Sequence, residues 1–204
     1  GYSGLYQDEE GNAAPISNTF QNLDFEKLME ASDESLSIRS RMAILPSVYK
    51  NEAGPYSVTV PQKMGNNGIV IKKGDYTLRI KPENGDFTRS MAAENAVRYS
   101  DVFENIDYQY TLVGNSLKED IILLEPVEQN VFQYHVSAGN LKLAKDGNRI
   151  IAYSEKKDDP VFVIEAPAMF DANGASSDKI KLEFDRSEGR MTLTADEDWL
   201  ADAE

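Results

Sequence analysis

The chain has 204 residues, with 35 acidic against 21 basic side chains, a formal net charge of −14 at pH 7 and no cysteine. The missing thiols exclude disulfides, thiolate nucleophiles and cysteine-ligated metals. The acidic excess sets every phosphate contact against a repulsive field, which disfavours nucleic acid and anionic lipid as partners.

Hydrophobic residues at 41% and charged residues at 27% give the balance of a folded globular chain. No apolar run approaches the ~20 residues of a membrane span, so no membrane insertion is expected. The opening Gly1-Tyr2-Ser3 has neither the basic stretch nor the apolar run of a signal peptide. An exported parent would carry its signal elsewhere.

In chain order, residues 5–20 hold an acidic turn (Asp8, Glu9, Glu10, Gly11, Asn12) and then Pro15-Ile16, which reads as a short hairpin or extended segment. Phe25, Leu28 and Met29 then fall on one stripe behind Asn22 or Asp24 as cap, predicting a short helix over 24–31. Residues 1–50 are thus expected to be an N-terminal extension packed on a main domain of 51–204.

From Tyr56 the period becomes 2. Tyr56, Val58 and Val60; Tyr76, Leu78 and Ile80; Ile106, Tyr108, Tyr110 and Leu112; and Ile180, Leu182 and Phe184 all alternate with polar residues. Such runs are strands with one dry and one wet face. Turn signals at 65–68, 73–75, 84–86, 114–116, 146–148, 173–174 and 188–189 separate them. Residues 92–96 read as a short helical turn. The all-apolar runs 121–124 and 161–164 suit strands covered on both faces. The fold class expected is mainly β: an antiparallel β-sandwich-like domain with one short N-terminal helix. The stretch 97–123 should be its structural centre.

Chemistry is sparse. The single histidine, His135, shares the polar phase with Gln133 and Ser137, and no nucleophile or orienting partner is visible beside it. A phosphate loop, a Gly-x-Ser-x-Gly elbow and a His-Glu-x-x-His helix are all missing. Asp171, Asn173 and Asp178 surround a glycine with hard oxygen ligands and are weak calcium candidates. Their spacing departs from that of an EF-hand loop, and an ordinary turn with side chains bonding its own backbone is the simpler reading. Most of the aromatics share the phase of Val, Leu and Ile and belong to the core, which counts against a sugar-stacking surface. Trp199, beside Leu200 and a string of acids, fits a lid on one end of that core or a docking anchor.

The run Val97-Arg98-Tyr99-Ser100-Asp101-Val102-Phe103-Glu104-Asn105-Ile106-Asp107-Tyr108-Gln109-Tyr110, followed by Leu117-Lys118-Glu119-Asp120-Ile121-Ile122-Leu123, resembles a signature of large secreted bacterial proteins. Those proteins carry RHS/YD repeats or DNRLRE domains and include the wall-associated type. The likeness continues through Pro160-Val161-Phe162-Val163-Ile164, Ala166-Pro167-Ala168-Met169-Phe170-Asp171 and Leu193-Thr194-Ala195-Asp196-Glu197-Asp198-Trp199-Leu200. It implies a β-rich module, secreted or attached to the cell wall, that lies N-terminal to repeat or adhesive modules. The expected function is therefore a non-catalytic structural or interaction module, with a carbohydrate-binding module as the alternative. Its expected partners are neighbouring modules of the same polypeptide, wall glycan or another surface protein. Nucleic acid, enzymatic activity and cofactors are not expected.

Overall fold

In a computed structural model that describes residues 4–8, 10–23, 48–156 and 159–202, the chain is mainly β and every strand pairing is antiparallel. The helix expected over 24–31 lies outside the described residues. In chain order the first strands are β1 (Leu5–Gln7), β2 (Ala13–Pro15), β3 (Ser17–Leu23), β4 (Val48–Ala53), β5 (Ser57–Pro61), β6 (Ile69–Lys73) and β7 (Tyr76–Pro82). Then come β8 (Ser90–Ala93), β9 (Ala96–Phe103), β10 (Ile106–Val113), β11 (Ser116–Leu123) and β12 (Val131–Gly139). The last are β13 (Leu141–Asp146), β14 (Arg149–Ser154), β15 (Pro160–Ile164), β16 (Met169–Phe170), β17 (Ser176–Ser177), β18 (Ile180–Asp185), β19 (Arg190–Ala195) and one helix, α1 (Glu197–Asp202).

Eight strands form the large sheet, in the order β18-β19-β12-β7-β6-β5-β4-β3. A second sheet runs β11-β10-β9-β8 and a third β13-β14-β15; β1-β2 and β16-β17 are small hairpins. Alternation puts Val58, Val60, Ile69, Leu78, Phe132, Tyr134 and Val136 of the large sheet inward. There they join Val97, Tyr99, Ile106, Tyr108, Tyr110 and Leu112 of the second sheet in one buried cluster. Phe87 lies edge-on to Tyr99 at 5.4 Å and to Tyr108 at 5.1 Å between ring centroids, the geometry the ring quadrupoles favour.

Tyrosines also tie the two sheets together through their polar ends. The Tyr134 hydroxyl donates to Glu119 Oε1 at 2.6 Å, and the Tyr99 hydroxyl donates to the carbonyl of Pro61. A buried ring brings apolar area, and its hydroxyl needs a partner; here the partner sits on the opposite sheet.

Two local expectations need correction, and one element was missed. Residues 92–96 do not form a helical turn: Ala92 and Ala93 pair with Val97 and Ala96 across the β8–β9 hairpin, with Glu94 at φ 42° in the bend. The high helix propensity of alanine yields to cross-strand pairing. Nor are the two apolar runs covered on both faces. Strands β11 and β15 are sheet edges, and Leu124 and Val163 remain 51% and 40% exposed. An apolar run records hydrophobicity, whereas coverage depends on what packs above and below. Finally, α1 went unforeseen. Asp196 caps it, its Oδ1 accepting from Trp199 N at 2.9 Å, and Leu200 is buried while Trp199 packs on the core.

Candidate functional site

Of the residues singled out as calcium ligands, Asp171 is spent locally. Asp171 closes the β16–β17 turn: its Oδ1 accepts from Ala175 N at 2.7 Å, and its carbonyl accepts from Gly174 N at 3.1 Å. Asn173 sits at the tip of the same turn, before Gly174 at φ 85°. Asp178 lies past β17 in a different feature, a shallow groove of about 660 Å³ shared with Lys179, Lys181, Asp196, Glu197 and Asp198. Among the described residues no group of three His, Asp or Glu side chains could hold a metal ion.

The outer face of the large sheet carries a different arrangement. Strand register places Arg190, His135 and Lys81 side by side across β19, β12 and β7. One row along, Lys50, Thr59, Val70 and Arg79 run across β4, β5, β6 and β7. Lys72 lies on the far side of that row, between Ser57 and Thr77. These side chains share a face because they alternate with buried residues: Lys50 with Tyr49 and Asn51, Arg79 and Lys81 with Leu78 and Pro82, His135 with Tyr134 and Val136.

Lys50, Lys72, Arg79 and Lys81 form no ion pair among the described residues. The second sheet is built differently, since its outward cations are matched: Arg98 Nη2 lies 2.6 Å from Asp107 Oδ2, and Lys118 Nζ 2.8 Å from Asp120 Oδ1. Arg190, at the rim of the cationic face, is paired with Glu188 and sits 3.9 Å from Glu83. A groove of about 580 Å³ opens beside Lys81, bounded by Glu83, Asn84, Gln133 and Arg190.

A second feature is internal. Glu119 faces Tyr110 directly across the β10–β11 ladder and takes the Tyr134 hydrogen bond from the other sheet. The residue as a whole is half-buried, but its carboxylate lies inside the domain. Burial pushes its pKa above the usual glutamate value, against the opposing effect of the tyrosine hydroxyls. Burial likewise holds the hydroxyls of Tyr99, Tyr108, Tyr110 and Tyr134 protonated well past the usual tyrosine range. The tyrosines of the cluster therefore stay neutral at pH 7, and the Tyr134 hydroxyl clamps the Glu119 carboxylate from the opposite sheet.

Over 120 residues, 54% of its length, the chain is 33% identical to the tRNA3(Ser)-specific nuclease WapA of Bacillus spizizenii. It is 32% identical over 120 residues to the tRNA nuclease WapA of Bacillus subtilis and to the tRNA(Glu)-specific nuclease WapA of Bacillus subtilis subsp. natto. The matched region is 5% of each relative, so the chain spans about a twentieth of their length. No family model matches the chain, and no solved structure does.

These relatives overturn the expected function. A non-catalytic structural or interaction module, the exclusion of an enzyme and the exclusion of nucleic acid all stand against similarity to proteins named as nucleases of tRNA. Net charge does not decide the partner, for a physical reason. Exposed charges separated by more than a Debye length, about 8 Å at physiological salt, are largely screened from each other. A phosphate at the outer face of the large sheet therefore meets Lys50, Lys72, Arg79 and Lys81 before it meets the net −14. Motifs missing from this chain say nothing of the rest of the relatives, which are some twenty times longer than the match.

Proposed function

We propose that this chain is one β-domain of a large, exported, WapA-like protein that cleaves tRNA, and that the domain serves that activity. The similarity to three tRNA nucleases over 120 residues carries the reading. The likeness of 97–123 and 160–171 to secreted RHS/YD-repeat and DNRLRE proteins of the wall-associated type supports the exported, wall-attached part of it. The cationic outer face supports the nucleic-acid part.

The test is a cleavage assay with the full-length parent polypeptide and total tRNA, read on a denaturing gel. Discrete tRNA fragments are expected. A full-length protein that leaves tRNA intact over the range of divalent-ion and pH conditions overturns the reading. Fractionation of the producing cells, probed with an antibody against this domain, should find it in the wall or the medium; signal confined to the cytosol contradicts export.

A further inference from the structure

We propose that the outer face of the large sheet binds the phosphodiester backbone of RNA through Lys50, Lys72, Arg79 and Lys81. This rests on the tRNA-nuclease reading and adds to it a surface and a mode of contact.

Three observations carry it. The first is charge segregation. In a chain with 35 acids and 21 bases, the charged side chains described on the outer face of β4–β7 are these four cations. None has an ion-pair partner among the described residues, whereas the outward cations Arg98 and Lys118 of the second sheet each have an aspartate within 3 Å. Unpaired cations concentrated on one face keep their full attraction for an anion.

The second is spacing. Lys50 and Arg79 end one row three strands apart, and Lys72 and Lys81 lie two residues to either side of it. With strands about 4.8 Å apart and about 3.4 Å per residue, the four cations mark a patch roughly 14 Å across in each direction. That suits several consecutive phosphates of one strand better than a single small anion.

The third is what lies between the cations. Thr59, Val70, Thr77 and Ser137 are small or β-branched, giving a shallow floor, and no described Phe, Tyr or Trp side chain stands on this face; its described ring is the exposed imidazole of His135, beside Lys81. A row of stacking rings is therefore not on offer, and neither is a deep pocket for a base. Contacts with phosphates alone are tolerant of sequence and strongly sensitive to salt.

The experiment is fluorescence anisotropy of the 204-residue chain with labelled total tRNA at 50 and 200 mM monovalent salt. Four phosphate contacts predict a fall in affinity of about 50- to 150-fold between those concentrations. Lys72→Glu combined with Arg79→Glu should weaken binding at 50 mM salt by roughly tenfold or more per cation and flatten the salt slope. Lys118→Glu, on the second sheet, should bind as the parent does. If the charge-reversed pair folds poorly, Lys72→Gln with Arg79→Gln makes the same comparison, and circular dichroism confirms the fold of each variant.

Absence of saturable tRNA binding at 50 mM salt overturns the proposal. So does unchanged binding by the double variants, or binding of poly(glycerol phosphate) in place of tRNA. The two readings fail separately. A full-length protein that cuts tRNA while the face variants bind normally sinks this surface alone, and a chain that binds through the face within a full-length protein that spares tRNA sinks the nuclease reading alone.

Discussion

Glu119 shows how one side chain sets a pH dependence. Its carboxylate is desolvated between two sheets, accepts from Tyr134 at 2.6 Å, and stands opposite the buried Tyr110 across the β10–β11 ladder. Because burial raises its pKa in the folded state, folding takes up a proton. Its contribution to stability is then greatest below the ordinary glutamate value of 4.5 and declines as pH rises from there through the raised value. Glu119→Gln keeps an acceptor for Tyr134 and removes the charge. Melting curves taken across that window should therefore show a flatter pH slope for Glu119→Gln than for the parent, and a higher midpoint at neutral pH. Glu119→Ala should be less stable than the Gln variant by about 1–3 kcal/mol, because it leaves the Tyr134 hydroxyl buried without a partner. Equal slopes for parent and Gln variant would mean that the carboxylate is hydrated in solution.

Along the elements, strand phase and backbone shape decide which changes are felt. Tyr108 is 1% exposed and contacts Phe87, Phe103 and Phe132, while Gln109, next along β10, faces outward and reaches Thr111. Tyr108→Ala should cost about 3–5 kcal/mol in denaturant unfolding and Gln109→Ala less than about 0.5 kcal/mol. Similar midpoints for the two would contradict the register. The β9–β10 ladder also shifts register between Ile106 and Tyr108, and Asp107 holds the irregularity. Its carboxylate accepts from Arg98 Nε at 2.8 Å and from Asp101 N at 2.8 Å, with Asp101 at φ 50°. Gly85, in the segment between β7 and β8, has no room for a side chain: an added Cβ would meet Val102 and come within 2.8 Å of Phe87. Gly85→Ala should therefore lower stability by about 1–3 kcal/mol through overpacking. A neutral result would mean that the loop relaxes freely.

At the scale of the molecule, salt should act in opposite directions on folding and on binding. A net charge of −14 makes the folded chain repel itself, so raising salt from 20 to 200 mM should raise the melting temperature. The same change should weaken tRNA binding, since phosphate contacts are lost to competing counterions. A melting temperature that falls with salt would show that the surface ion pairs outweigh the net repulsion. Chelation should leave the melt unchanged if Asp171 serves only its turn, because loss of a bound ligand at ~100 times its dissociation constant would remove ~2.7 kcal/mol. A drop of several degrees in EDTA would return Asp171, Asn173 and Asp178 to consideration as calcium ligands.

By itself the sequence determined the fold class and the inward phase of the strands. Alternation is a local property, and Ile106, Tyr108, Tyr110 and Leu112 declare their common face within seven residues. It also placed the β10–β11 hairpin through Gly114, which adopts φ 58° in the turn. The coverage of 121–124 and 161–164 was not legible, because an edge strand and a central one can carry the same residues. The helix at 197–202 was not legible either, since six residues complete fewer than two turns and its cap, Asp196, read as one more acid in a string. Least visible of all was the cationic face. Lys50, Lys72, Arg79 and Lys81 are spread over some thirty residues among many acids, and only the register of four paired strands brings them together. Net charge is a sum over the chain, whereas binding responds to charges within about 8 Å of one another, and that proximity is decided by tertiary structure.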